Sequence, residues 1–404
     1  MKKILIIQHV ASPGGIFRSG MTLLKALESD FDVTVMFPVE NINSIKYEQE
    51  FYEKVIKLDR RMGELRWYSG GPKIFSLSFL FGLKNIVSSW PEIKECLFQT
   101  KPDLVITNSK VLCWLGLLLK RMKIKSICFL RETKRKSYFG IMSQINKYLL
   151  NCYSGVVFIS SYDRSQEYVA GAVVEIIPDS IEMPRAITAA IRQQIRSKLG
   201  ITYNEKAVLY VGGMQKLKGA DTIVDAISLL IEDNIVLIFA GKKEIPIENK
   251  ARLLKKIRYR IKKRFENKIY NKISSKGLME RIKFVGVKTD LQDYYYAADV
   301  LAVPNRWAHQ SRPAFEAGAY CLPVIMADHC NIRDEYIHKK NCLLFPPGNA
   351  KKLADGLREI VEQNEIRMNI INNNYDNTRI NHNYSYTRDK LIKMINLLLK
   401  KEAI

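Results

Sequence analysis

The sequence is poor in the residues that hold metals or cross-links. Its five histidines (9, 309, 329, 338 and 382) are scattered without ligand spacing, so no metal site and no resident cofactor are expected. The seven cysteines (96, 113, 128, 152, 321, 330 and 342) contain no C-x-x-C pair, and three of them sit in apolar stretches. That is the usage of reduced, mostly buried thiols, and it argues against a disulfide framework or a zinc ribbon. Long hydrophobic runs are missing too. The longest, Val111–Leu119, is about half of what a membrane span needs, and the opening Met-Lys-Lys-Ile-Leu-Ile-Ile gives way at once to Gln8 and His9. A soluble, cytoplasmic chain is the expectation. Acid is also in short supply, at 41 Asp and Glu against 64 Lys and Arg, a formal charge of +23. Such an excess does not set a fold, but it predicts attraction to nucleic acid, acidic membranes or phosphorylated substrates.

What is present is globular. The 404 residues are 47% hydrophobic and 26% charged, enough for two or three cored domains. Ile4–Ile7 reads as a buried strand, Ala11-Ser-Pro-Gly-Gly15 as a turn, Ser19–Leu27 as a helix and Phe31–Phe37 as a second strand. Strand candidates follow at Leu104–Thr107, Ser126–Leu130 and Val156–Ile159, with helical spacing between them, as over Val111–Met122. The pattern breaks at the two prolines of 176–184 and restarts after a polar helix near 188–199. New strands are read at Ala207–Val211, Ile235–Ala240, Ile282–Val285, Val300–Val303 and Pro323–Met326. Strands alternating with helices predict parallel sheets covered on both faces, hence an α/β chain of two Rossmann-like, doubly wound domains facing across a cleft. The expected divisions are 1–185, 186–385 with a basic helical insertion at 249–278, and a C-terminal helix at 386–404 crossing back to the first domain.

Ligands of such sheets bind beyond the carboxyl ends of the strands. Gly14-Gly15 lies between a strand and a helix, where glycines let a backbone approach an anion, although a plain tight turn uses the same residues. Val208-Leu-Tyr-Val-Gly-Gly-Met-Gln-Lys-Leu-Lys-Gly-Ala-Asp221 is a stronger candidate. Lys216 and Lys218 beside Gly212-Gly213 suit a diphosphate, against the alternative of solvated loop lysines. After the strand ending at Pro304 comes a polar loop with His309, Gln310, Ser311, Arg312 and Pro313. It leads to Glu316, which is either a favourable first-turn carboxylate or an acceptor for ribose hydroxyls. Arg131-Glu132 follows a strand as well, either as an exposed ion pair of little worth or as acceptor-positioning groups. His309 is equally a loop residue or a sugar contact.

These segments occur in a recognisable order: Val-Gly-Gly with Lys218-Gly, Phe284-Val-Gly286, Ala298-Asp-Val-Leu-Ala-Val-Pro304, Arg312-Pro-Ala-Phe-Glu-Ala-Gly318, Pro323-Val-Ile and Asn341-Cys-Leu-Leu-Phe-Pro-Pro-Gly348. The series resembles the retaining glycosyltransferases of family 4, which have the GT-B fold, and the resemblance covers nearly the whole chain. It implies transfer of a sugar from a nucleotide diphosphate donor with retention and without a bound metal. By the same resemblance Lys218 holds donor phosphate, Glu316 the nucleotide ribose, and the backbone of Gln310–Pro313 the phosphate and sugar. The chain departs from the family at Ala308, where a second carboxylate is usual, and at Gly213, where an arginine accompanies the lysine. Arg312 is the expected compensation, placing Lys218 and Arg312 at the leaving group with Lys216 and the Gly15 loop in support.

Residues 250–283 hold fourteen Lys and Arg against Glu266 and Glu280, a local charge of +12, with Leu254, Ile257, Ile261, Phe265 and Ile269 at helical spacing. A basic amphipathic helix of this kind suits an anionic membrane surface; the alternative is a solvated helix whose stripe packs on its own domain. No nucleic-acid module surrounds it. The expected substrates are therefore a nucleotide-sugar donor and a glycan or lipid-linked glycan acceptor, in the building of a surface polysaccharide. A catalytically degenerate GT-B subunit, a GT-B nucleotide-sugar epimerase and, more distantly, a basic nucleic-acid-binding protein are the rivals.

Overall fold

The computed structural model describes residues 1–10, 14–38, 54–135, 140–241 and 253–400, without the side chains of 253–259, 261 and 262. The chain divides into two compact units, Met1–Ile181 with His382–Ile404, and Glu182–Asn381. Both divisions fall four residues before the expected bounds at 185 and 385.

Unit 1 is a seven-stranded parallel sheet of order β3-β2-β1-β4-β5-β6-β7. The strands are β1 (Lys3–Ile7), β2 (Asp32–Pro38), β3 (Val55–Leu58), β4 (Leu104–Thr107), β5 (Lys125–Leu130), β6 (Gly155–Phe158) and β7 (Val173–Ile176). Its helices are α1 (Gly15–Leu27), α2 (Leu77–Thr100), α3 (Leu115–Arg121), α4 (Ile141–Leu150) and α5 (Ser161–Gln166). Strand side chains alternate between two cores, as period-two geometry requires. Leu5 and Ile7 pack with α2, α3 and α4, whereas Ile4 and Ile6 pack with α1 and the chain's last helix, Tyr384–Lys400. That last helix contributes Leu391, Met394, Ile395 and Leu398 to the unit 1 core. The single helix expected over Val111–Met122 is two pieces. A 3₁₀ turn, Lys110–Leu112, is capped by Ser109, and α3 starts only at Leu115.

Unit 2 is a six-stranded parallel sheet of order β10-β9-β8-β11-β12-β13. It comprises β8 (Lys206–Val211), β9 (Ile235–Ala240), β10 (Ile282–Gly286), β11 (Val300–Val303), β12 (Val324–Ala327) and β13 (Leu343–Phe345). Helices α6 (Ala189–Lys198), α7 (Ala220–Ser228), α8 (Leu253–Ser275), α9 (Gln292–Ala297), α10 (Arg312–Ala319), α11 (Ala350–Glu362) and α12 (Asn364–Asn381) surround it. Val208 and Tyr210 face one core, Ala207 and Leu209 the other.

The basic segment expected as an insertion is the crossover that parallel neighbours β9 and β10 require. Phe265, Ile269 and Ile273 of α8 pack into the unit 2 core, so that part of the stripe is structural. The side chains of Leu254, Ile257 and Ile261 lie outside the described residues. No described helix is long and apolar enough to cross a membrane.

Candidate active site

In each unit the strand order reverses once, and a reversal opens a crevice at the strands' carboxyl ends. In unit 2 it falls between β8 and β11. The loops after those two strands are the 212–219 and 304–311 segments, so the strongest sequence candidates sit at one switch point.

The 212–219 loop is built by sterics. Tyr210, buried at the end of β8, donates its hydroxyl to the Gly213 carbonyl at 2.9 Å. A Cβ on Gly212 would lie 2.4 Å from that hydroxyl oxygen and 2.8 Å from the Lys218 Cβ. Gly213 turns with φ 59°, in the left-handed region. The amides of Gly212 and Gly213 both donate to Ala240 O, at 3.1 and 3.0 Å. Both amides therefore belong to the sheet, and the glycines allow the loop to fold back over Lys218.

Lys218 itself is half-buried, and among the described residues no carboxylate pairs with it. Burial lowers its ammonium from 10.5 to about 8, still mostly protonated at neutral pH. His309 is also half-buried, and burial together with the nearby Lys218 charge holds its imidazole well below the usual histidine range. A cation and a neutral imidazole therefore share the switch point. Lys216 is exposed, which fits the solvated-lysine alternative.

Two contacts that the sequence reading missed clamp the two loops together. Arg306 forks onto Asp221 in the first turn of α7, at 2.6 and 3.3 Å, and its amide donates to Leu217 O at 2.9 Å. An arginine three residues past a strand and an acid opening a helix were the available signals. Gly219 caps α7 with φ 74°, packed against the Pro304 carbonyl.

The 309–316 segment differs from expectation at its charges. Ser311 is buried at the N-cap of α10, Pro313 occupies the first turn, and Gln310 is half-buried. Because α10 starts at Arg312, Glu316 stands one turn further in, and the first-turn alternative falls. Glu316 is buried. Its Oε1 accepts from Arg312 Nε at 2.8 Å and its Oε2 from the Tyr295 hydroxyl at 2.6 Å. Arg312 is thus ion-paired with Glu316 and lies over the Phe315 ring. Tyr295, itself stacked on Tyr320, was not foreseen. A carboxylate has about four lone-pair sites, more than these two bonds use. Glu316→Ala should cost about 2–4 kcal/mol of stability, because it strands the buried guanidinium and the tyrosine hydroxyl. Glu316→Gln should cost markedly less, and chemical denaturation separates the two.

In unit 1 the reversal lies between β1 and β4. Gly14 stands at the N-cap of α1 in extended backbone that any residue adopts, and a Cβ on Gly15 would meet no protein atom. Neither glycine is demanded by its own turn; residues 11–13 lie outside the described residues. Arg131 and Glu132 are not an exposed pair. Arg131 is buried, donates to Asn108 Oδ1 at 2.7 Å and is ion-paired with Asp179. Glu132 accepts from the Ser109 hydroxyl and from the Lys110 amide, holding the 3₁₀ turn after β4. His9, just past β1, is buried with its pKa lowered by that burial, against the opposing pull of Glu64 and Glu132.

Comparison with known proteins agrees with this layout. Residues 191–377 match the family of glycosyl transferases group 1. The chain is 21% identical over 348 residues to the UDP-Gal:alpha-D-GlcNAc-diphosphoundecaprenol alpha-1,3-galactosyltransferase of Escherichia coli, covering 81% of this chain and 80% of that one. It is 26% identical to the lipopolysaccharide core biosynthesis mannosyltransferase LpsB of Rhizobium meliloti strain 1021, over 52% of this chain and 54% of the relative, so there the likeness spans about half of the relative's length. Anabaena Alr3699/HepE, solved in complex with UDP-glucose, superposes with a TM-score of 0.78 at 16% identity, over 98% of this chain and all of that one. The fold is GT-B.

Proposed function

We propose that this chain, whose residues 191–377 match glycosyl transferases group 1, transfers a sugar from a nucleoside diphosphate sugar to a lipid-linked glycan with retention of configuration, in surface polysaccharide synthesis. The observation that carries this is the half-buried Lys218 ammonium beside the neutral His309 at the unit 2 switch point. A diphosphate there meets a cation already stripped of much of its water, the condition under which charge stabilisation is strongest. Glu316, oriented by Arg312 and Tyr295, takes the ribose hydroxyls. The 310–313 backbone at the start of α10 meets phosphate and sugar.

When the bond between the sugar's anomeric carbon and the phosphate oxygen breaks, its electron pair goes to the phosphate, where Lys218 offsets the charge. The acceptor hydroxyl attacks from the same face and passes its proton to the departing phosphate, so no protein nucleophile is needed. On the acceptor side, Arg131 and Glu132 act as positioning residues, each fixed by buried partners. The lipid-linked acceptor is supported by what the Escherichia coli relative's name says it acts on.

The test is a thermal-shift panel of UDP-, GDP-, TDP- and ADP-sugars, followed by hydrolysis assays on whichever stabilises. One donor should raise the melting temperature in a concentration-dependent way and be slowly hydrolysed. Stabilisation without any hydrolysis or transfer would favour a non-catalytic subunit, the reading that Ala308 keeps open. No stabilisation by any of the four would defeat the proposal.

A further inference from the structure

A solvated helix normally turns polar residues outward, whereas the first three turns of α2 carry apolar residues on their outer side as well as at the core. Leu77, Leu80, Phe81 and Val87 are exposed, Val87 at 76%, while Ser76, Ser78, Ser88 and Ser89 lie half-buried or buried on the inner side. Helix α4 does the same: Ile141, Ile145 and Tyr148 are 66%, 41% and 64% exposed, while Asn146 is buried. Both helices pack through Phe79, Ile93, Met142 and Leu149 onto the same core, so they cover one face of the unit 1 sheet. Their N-terminal approaches are tied to each other, since Arg135 donates to the carbonyls of Gly71 and Pro72 at 3.1 and 2.7 Å. Ahead of α2 stands Phe75, 83% exposed with φ 66°, a left-handed backbone that a bulky side chain adopts only at a cost.

Over the first three turns of α2 and over α4 the charge has one sign; Glu92 and Glu95 stand further along α2. Segments 72–87 and 134–148 contain Lys73, Lys84, Lys134, Arg135, Lys136 and Lys147 and no Asp or Glu. Lys134 faces the buried Glu167, and Lys136 lies outside the described residues. Outward aliphatic and aromatic side chains interleaved with lysines are the composition of a surface that lies in the headgroup region of an anionic bilayer. A protein partner of ordinary interface chemistry would show fewer lysines.

We propose that the outer face of the first three turns of α2 and of α4, led by Phe75, docks this chain on a membrane surface rich in anionic lipid. Membrane contact was expected from 250–283, but the described apolar side chains of α8 are largely turned into their own core. The docking stands apart from the sugar-transfer reading, because it needs neither donor nor acceptor.

The experiment is flotation of the full chain with vesicles of phosphatidylcholine alone or mixed with phosphatidylglycerol, without substrates. The wild type should float with the mixed vesicles and much less with phosphatidylcholine. A triple variant, Phe75→Gly, Val87→Ser and Tyr148→Ser, should float about tenfold less with the mixed vesicles. Phe75→Gly alone should hold or raise the melting temperature by relieving the left-handed strain, while still reducing flotation, which separates lost anchoring from lost folding. Three results would each overturn the proposal: wild-type flotation by the triple variant, equal flotation with phosphatidylcholine alone, or loss of a solution dimer in the variant with flotation unchanged.

Discussion

Replacing Lys218 with alanine should lower turnover on the donor sugar by roughly 100- to 1,000-fold, the usual loss when one preorganised group aimed at developing charge is removed. The ground is local. Lys218 sits between a glycine turn and the 304–311 loop, without a carboxylate partner among the described residues, and burial has already lowered its pKa to about 8. Its charge is therefore neutralised by nothing the described protein supplies, and a bound diphosphate would be its counter-ion. Lys218→Met keeps most of the packing volume and should lose as much activity as alanine, whereas Lys218→Arg keeps the charge and should recover part of it.

The same depressed pKa sets a pH signature. Raising pH from 7 through 8 removes the proton from Lys218 in the free protein, so the KM for donor should rise over that interval in the wild type and stay flatter in Lys218→Arg. Stability should move the other way. The unfolded lysine holds its proton up to about 10.5 and the folded one only to about 8, so this group's contribution to stability grows between those values. Ordinary turnover by Lys218→Ala would end the assignment.

What the sequence made legible follows from how strongly each signal is enforced. Strands with two buried faces, such as Ile235–Ala240 and Val300–Val303, must be apolar throughout, and their bounds were readable to the residue. Edge strands carry no such demand. Val173–Ile176 is half-buried along its length and includes Glu175, Val55–Leu58 includes Lys57, and Leu343–Phe345 is only three residues long; all three escaped notice. Helix α2 was hidden for another reason. Pro91 falls inside it, where a sequence reading expects a break, and its outward apolar face removes the polar stripe by which a surface helix is recognised.

At the candidate site, residue types were legible but partners were not. Lys218 and Glu316 could be named from their loops, yet the pairing of Arg312 with Glu316 depends on α10 starting at 312, which places the two one turn apart. Arg131 and Glu132 are neighbours in sequence, but their side chains reach partners 48 and 22 residues away. Sequence adjacency suggested a pair where the fold makes two separate anchors.

Gly219→Ala should be the most damaging single-atom addition to unit 2. A Cβ at 219 would lie 1.8 Å from the Pro304 carbonyl oxygen and 2.8 Å from its carbon, and both belong to backbone that cannot rotate away. Overpacking of this kind costs about 1–3 kcal/mol, and the left-handed φ of 74° adds about 1–2 kcal/mol for any side chain. Relief requires the 304–311 loop to move off the 212–219 loop. That movement pulls Arg306 from Asp221 and the Arg306 amide from Leu217 O, and with them the register that sets Lys218 beside His309. The variant should therefore lose both melting temperature and nucleotide-sugar binding, by more than Gly277→Ala, whose φ is similar at 64° but whose added Cβ meets no atom. Subtracting that control isolates the contact from the backbone strain. Equal losses in the two variants would mean that the apposition of Gly219 and Pro304 does not hold the two loops together.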